Sequence, residues 1–526
     1  MRDFQIPNRS LVLAEHGMAA TSHPLASKVA LDILCAGGNA ADAAISASLV
    51  LGVCEPHMTG LGGDCFALIK PAGADTVYGL NGSGVAPAGF DADRLRRQGL
   101  TAMPTDTGDA VTVPGAVAGF CALSERYGQL PLAEVLAPVI AYFEGGVPVA
   151  PRVAFDWAGS LDTLQGSAQD LYAIQGVAPR AGQVFRSPEQ ADVLRLIAAH
   201  GRAGFYEGAV AEGMVAALNA AGGTHTLDDF AAQTAIWVDP IHGAYKGTEL
   251  IELPPNGQGA TALLIANILA QHQVAAMDPR GVARIHLEAE AAKLAYDARN
   301  RIVGDPATAA DAVARMTDPT LAADLAGCID PKRAQPQTHL LTDAVHRDTV
   351  CLSVVDKDRM AVSMIYSIFH SFGSGLVAPE SGILFQNRGA GFTLAEGHPN
   401  EARPGRRPMH TIIPGMLAED GRVSMAFGVM GGQYQAAGHL RFLSNMVDFG
   451  MDPQTAIEFP RSFPENNVLK VERGYSDAQR AELTEMGHEV VIPDTPIGGA
   501  QAISLNSDGV LIGASDPRKD GCALGY

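Results

Sequence analysis

Thr349 stands where a polar stretch gives way to an apolar, β-branched one, and chemistry could be done there. Residues 331–348 (PKRAQPQTHLLTDAVHRD) lose apolar periodicity and carry two prolines, the composition of a flexible linker. TVCLSVV follows, Asp356-Lys357-Asp358-Arg359 makes a turn, and Met360 to Ile368 alternates again, which predicts a β-hairpin. If the bond between Asp348 and Thr349 is cut, one residue holds both a hydroxyl and a free α-amine. An α-amine titrates near roughly 7.7–8.0, so at pH 7 a useful fraction is neutral and can take the hydroxyl proton, directly or through a water. The same hydroxyl could attack the preceding carbonyl in the uncut chain, an N-to-O acyl shift that ends in hydrolysis. The spacing also fits an ordinary strand-starting Thr, the more frequent case, and the residues alone do not exclude it.

Other chemistry finds less support. No GxSxG elbow is present. LGG at 61–63 lacks both GxGxxG and the Lys-Ser/Thr of a phosphate loop, so it reads as backbone turns against a buried helix and implies no nucleotide. His286 and Glu290 fall i, i+4 on a predicted helix; we expect a solvated face with ordinary ion pairs and assign no metal and no cofactor. The seven cysteines are odd in number and show no CxxC or Cys/His metal spacing, so they read as reduced, mostly buried thiols.

The elements that must position Thr349 are those of a large, well-packed enzyme. Of 526 residues, 47% are apolar and 18% charged, which fits a soluble globular chain. The formal charge of −20, with no basic run denser than Arg403 to Arg407, argues against a nucleic-acid partner. No stretch reaches the roughly 18 apolar residues of a membrane span, and no basic segment precedes an apolar one at the N-terminus. We therefore expect a cytoplasmic protein with no membrane partner. Pro24 to Val53 predicts two helices divided by Gly37-Gly38, the second capped by Asn39 and apolar nearly all round. Residues 120–330 read as mainly helical. They include Ser187 to Ala199, with Ser187 as N-cap and Pro188 at the first helical position, and Arg284 to Arg299.

The sequence resembles the γ-glutamyltranspeptidase family of N-terminal-nucleophile hydrolases over nearly its whole length. Carrying the resemblance are HPLASKVALDILCAGGNAADAAISASLVLGVCEPHMTGLGGDCFALI (23–69), NGSGVAP (81–87), LPPNGQG (253–259) and DTVCLSVVDKDRMAVS (348–363). FGSGLVAPESGILFQNRGAGF (372–392), MHTIIP (409–414), GVMGGQYQ (428–435) and DPRKDG (516–521) complete it. The resemblance implies an α/β fold, a four-layer αββα sandwich with a mainly helical section in the large subunit. It implies self-cleavage at Asp348/Thr349 into a large subunit, 1–348, and a small one, 349–526, that stay intertwined; a dimer of such heterodimers is compatible with it. It makes Thr349 the catalytic nucleophile, Ser367 the hydroxyl that supports it, and Gly431-Gly432 the oxyanion-stabilising pair.

The departures from the family pattern are equally informative. The Arg that grips the glutamyl α-carboxylate in relatives is replaced by Ser83, and the Asp that holds the α-amino group by Gly391. Arg388 replaces a Gln, Phe369 an Asn, and Arg407-Pro408 two adjacent serines. A site built for a zwitterionic glutamyl head loses affinity without these partners. The new arginines, Arg388 and Arg407, could hold a substrate carboxylate instead, or could be structural. His410 and His370 lie in neighbouring blocks and could contact substrate. A small anionic amide is the expected substrate, with oxamate, cut to oxalate and ammonia, the best single choice. A γ-glutamyl compound such as glutathione is the alternative, and a side-chain amide of the kind acylases cut is a third.

Overall fold

The computed structural model describes residues 5, 8–335, 349–506 and 508–526. Asp348 and most of the expected linker, 336–348, lie outside them. Two seven-stranded antiparallel sheets form the centre. In order, the first contains Cys522–Gly525, Met18–Thr21, Val350–Val355, Ala361–Ser367, Asp64–Lys70, Tyr78–Gly82 and Ile236–Val238. The second contains Val12–Ala14, Leu511–Ser515, Gly499–Leu505, Arg422–Met430, Pro414–Glu419, Thr248–Glu252 and Ile241–Tyr245.

Strand alternation sorts the side chains into layers. Cys351 and Val355 meet Phe66, Ile365, Met416, Ala426 and Ile503 between the sheets. Val350, Leu352 and Val354 turn outward into a second apolar layer shared with the helix Ala40–Cys54. Helices Gly259–Leu269, Val282–Ile302 and Tyr434–Val447 cover the outer face of the other sheet. Both central strands of the predicted hairpin are wholly buried, as a strand with a sheet on one side and helices on the other must be. The result is the expected αββα sandwich. Each sheet draws strands from both sides of the 348/349 junction, so the two halves are not separable domains.

Local sequence explains much of this. Ala40–Cys54 is buried on every side, which its small and apolar residues permit. Asn39 caps it in a full capping box: its Oδ1 accepts from the N–H groups of Ala41 and Asp42 at 3.0 and 3.1 Å, and Asp42 Oδ2 accepts from Asn39 N at 3.0 Å. Ser187 behaves otherwise. Pro188 does open the helix Pro188–His200, but the Ser187 side chain makes no cap bond and accepts from Gln190 Nε2 instead. Strands also interrupt the region read as helical, because Ile236–Val238, Ile241–Tyr245 and Thr248–Glu252 complete one edge of each sheet.

The helix Val282–Ile302 corrects another expectation. His286 and Glu290 face the interior, at 1% and 0% exposure, not solvent. His286 Nε2 lies 2.7 Å from the carbonyl of Asp330, its Nδ1 lies 2.8 Å from His488 Nε2, and Glu290 Oε2 accepts from Gln335 N at 3.0 Å. Three groups that could hold a metal thus converge. The cation beside Glu290 Oε1, however, is the Lys293 ammonium at 2.6 Å. The cluster fastens residues 330–335 to the helix. All seven cysteines are unpaired, and Cys54, Cys65, Cys121 and Cys351 are buried. No helix among the described residues is long and apolar enough to cross a membrane.

Losing the cap should be felt globally. Asn39→Ala removes both cap bonds and the bond from Asn39 Nδ2 to the carbonyl of Tyr127. It should cost about 1–2 kcal/mol of unfolding free energy in a denaturant titration, and an unchanged midpoint would contradict the assignment.

Candidate active site

The hairpin register places the candidate residues in one row. Val350 pairs with Tyr366, and Ser367 pairs with Asp64 on the next strand. Thr349, Ser367 and Asp64 therefore lie side by side at one end of the first sheet, with the same facing as Cys351, Ile365 and Phe66 between the sheets. All three are fully buried. Thr349 Oγ1 sits 3.4 Å from Ser367 Oγ, and Ser367 Oγ accepts from Phe369 N at 2.9 Å. The expected partnership of the two hydroxyls is thus present in the geometry.

Asp64 was not singled out from the sequence, yet it organises the flank next to Ser367. Its Oδ1 accepts from Gly84 N at 3.1 Å, Gly115 N at 3.0 Å and Gln386 Nε2 at 3.1 Å, and its Oδ2 lies 2.8 Å from His410 Nε2. Burial, then the charge of Arg388, holds His410 below its usual range, against the pull of Asp64 and the Pro408 carbonyl. The His410 Nδ1 lies 2.8 Å from the Pro408 carbonyl and 3.1 Å from Asn256 Nδ2. Asn256 also bonds Asn81, whose Oδ1 takes the Ser83 hydroxyl at 2.6 Å. Ser83 and His410 are thereby members of one buried amide–imidazole–carboxylate network.

Arg388 lies in the short turn Arg388–Gly391 and is fully buried. Its guanidinium carbon sits 4.4 Å over the Phe369 ring, and its Nη1 reaches only Thr411 Oγ1, at 3.4 Å. Nε and Nη2 have no hydrogen-bond partner among the described residues. Burial pulls the group down to about 10, opposed by the charge of Asp64, so it remains a cation at neutral pH. Phe369 holds φ at +80°, a region a bulky residue adopts at a cost of about 1–3 kcal/mol. Its ring stacks on His370 at 4.6 Å, and His370 is held by Asn387 through its backbone N–H and its Nδ1. Arg407 is half-buried. Its N–H donates to Asp305 and its Nε to the carbonyl of Ser83, and among the described residues its guanidinium forms no ion pair.

Gly431 and Gly432 follow the strand Arg422–Met430, which packs on the Thr349 strand: Cys351 Sγ lies 3.3 Å from the carbonyl of Gly428. Their φ values of +119° and +57° favour glycine, and a Cβ on Gly431 would come within 2.7 Å of Gly498 Cα. The Gly431 carbonyl accepts from Tyr434 N, and the Gly432 carbonyl from Gln435 N and Gln258 Nε2. A trans peptide sets N–H opposite C=O, so the N–H groups of Gly432 and Gln433 point away from the helix Tyr434–Val447. Neither they nor the Gly431 N–H meet an acceptor among the described residues. Such a turn can receive an oxyanion.

The αββα sandwich is that of the N-terminal-nucleophile hydrolases. Residues 26–526 match the family Gamma-glutamyltranspeptidase, and the chain belongs to it. It is 36% identical to the glutathione hydrolase-like YwrD proenzyme of Bacillus subtilis, covering 98% of this chain and 99% of that one. It is also 36% identical to the oxamate amidohydrolase proenzyme of Klebsiella pneumoniae, over 98% and 99% of the two chains. The crystal structure of cephalosporin acylase from Bacillus halodurans superposes with a TM-score of 0.92 at 36% identity, covering 100% of this chain and 99% of that one. The protein is accordingly an amidohydrolase of this family.

His370 supplies a pH test of the site's packing. Burial, reinforced by Arg388, holds its folded value near 4, below the unfolded value of about 6.5. Its contribution to stability is therefore complete above pH 6.5 and is lost as pH falls toward 4. His370→Gln should show a shallower fall in unfolding free energy across that interval than the parent protein. Parallel curves would contradict a buried, neutral His370.

Proposed function

We propose that the protein cuts its own chain at Asp348/Thr349 and then hydrolyses a small anionic amide through an acyl-enzyme on Thr349. Oxamate is the best single substrate and the cytoplasm the expected setting. The new α-amine takes the Thr349 hydroxyl proton as Oγ1 attacks the amide carbon. Ser367 steadies the nucleophile, and the N–H groups of Gly431 and Gly432 hold the tetrahedral oxyanion. The C–N bond breaks, the amine leaves with the returned proton, and water hydrolyses the ester to free the carboxylic acid. Residues 1–348 and 349–526 remain together, since they share both sheets.

The observation that carries the substrate class is Arg388. A desolvated guanidinium whose Nε and Nη2 are unpaired among the described residues is a ready receptor for a planar carboxylate. The Phe369 ring leaves it little room, which favours a carboxylate close to the scissile carbonyl. Arg407, whose Nε donates to the Ser83 carbonyl, is the second candidate for an anion contact. At the positions expected to grip the glutamyl α-carboxylate and α-amino group, the Ser83 hydroxyl is engaged by Asn81 and Gly391 has no side chain. One further feature favours a larger amide, as the name of the cephalosporin acylase relative suggests. A cavity of about 500 Å³ lined by Phe155, Met430, Gly431, Tyr434 and Phe463 has more space than ammonia requires.

Two variants test the reading. Thr349→Ala should stay a single chain on a denaturing gel while the parent runs as two; a cut variant contradicts the mechanism. Arg388→Met should raise KM for oxamate at least about tenfold, the value of one charge-assisted contact. Turnover of γ-glutamyl anilides but not oxamate by the parent enzyme would overturn the substrate assignment.

A further inference from the structure

The Gly431–Gly432 turn is held from behind by a cation that the reaction scheme does not use. Arg299, near the end of the helix Val282–Ile302, is 3% exposed. Its Nη1 donates to Gln258 Oε1 at 2.7 Å and to Gln433 Oε1 at 2.5 Å, while Nε and Nη2 donate to Asn300 Oδ1 at 3.0 and 2.7 Å. Every acceptor is a neutral amide. Among the described residues no carboxylate pairs with it. Burial draws it down to about 10, with only Tyr296 acting the other way, so it is charged at neutral pH.

The amides that surround Arg299 lead to the turn. Gln258 gives its oxygen to Arg299 and its Nε2 to two carbonyls, Thr411 at 2.6 Å and Gly432 at 3.3 Å. Gln433 is the residue after the glycine pair, and Tyr296 on the same helix donates its hydroxyl to the Gln433 carbonyl. One helix therefore grips residue 433 by side chain and backbone and, through Gln258, grips the carbonyl of Gly432. That carbonyl belongs to the peptide leading out of Gly432, so holding it limits how the glycine pair can turn.

The Tyr296 ring, 4.5 Å from the guanidinium carbon, offsets part of the Arg299 charge, but a buried cation with no carboxylate still favours negative charge arriving near it. We propose that Arg299 is a positioning residue for the oxyanion turn. It fixes the Gly431–Gly432–Gln433 peptides through Gln258 and Gln433, and its charge strengthens their hold on the tetrahedral oxygen in a low-dielectric interior. The proposal rests on the assignment of the oxyanion to Gly431-Gly432 made above.

The test uses the processed enzyme and three amides: oxamate, N-phenyloxamate and a γ-glutamyl p-nitroanilide. Whichever the parent enzyme cleaves is established first, and the Arg299 variants are then measured on that substrate. Failure of the oxamate reading is thereby seen apart from failure of this one; a parent enzyme that cleaves none overturns both. Arg299→Gln, neutral but still able to donate, should lower kcat at least about 30-fold with KM within about threefold, near the loss of an oxyanion donor. Arg299→Lys, which keeps the charge, should recover most of that loss. Wild-type kcat in Arg299→Gln, with only a lower unfolding temperature, would reduce Arg299 to a structural role. Equal losses in both variants would remove the charge from the explanation. Should neither variant fold, Gln433→Met decides, since it breaks one bond to Arg299 and leaves the others: a several-fold fall in kcat at unchanged KM supports the proposal, and unchanged kcat overturns it.

Discussion

Positive charge held in a dry interior without an ion pair among the described residues is the constraint on which the rest of this site depends. Among those residues Arg388 is sealed between Phe369 and Thr411 with Nε and Nη2 unpaired, and Arg299 lies over the Tyr296 ring and hydrogen-bonds only to amide oxygens. Groups of this kind are unfavourable to bury and persist where the surrounding fold over-determines them. Here the determination comes from the sandwich. The Thr349 hairpin is buried by a sheet on one face and helices on the other, so the loops at its end have no freedom to relax. The strained Phe369 backbone, one residue beyond the strand Ala361–Ser367, is part of the same confinement.

The two cations divide the proposed work. Arg388 lies on the Asp64 flank of the row, where Asp64, held by His410, is the nearby negative charge. Arg299 lies behind the glycine turn, on the outer helical layer of the opposite sheet. In the proposed reaction the first fixes the charge that a substrate brings, and the second favours the charge that appears during turnover. On the proposed reading, Arg388 takes over from the glutamyl clamp expected of the family, and the anchor moves from a distant zwitterionic head to an anion near the scissile bond.

Much of the fold was legible in the sequence because it is local. The capping box at Asn39, the β-branched run after Thr349 and the turn at Asp356 to Arg359 each declare themselves within a few residues. The family resemblance supplied the layered architecture and the row of hydroxyls. What stayed hidden depends on distant partners. Asp64 reads as an ordinary polar residue after a Gly-Gly turn, and only the sheet register sets it beside Ser367 and against His410. His286 and Glu290 have the spacing of a solvated ion pair and become interior once His488 and residues 330–335 close over them. The strands between 236 and 252 are too short to outweigh the helical sequence on either side. Ser187 has the type and place of a cap, but Gln190 takes its oxygen.

The most direct test of the account is the mass of the acyl-enzyme. Enzyme mixed with excess oxamate, quenched in acid within milliseconds and digested should yield a peptide beginning at Thr349 that carries the acyl group on Thr349 itself. An unmodified Thr349 peptide under conditions of rapid turnover, or the acyl group found on another residue, would contradict the central claim.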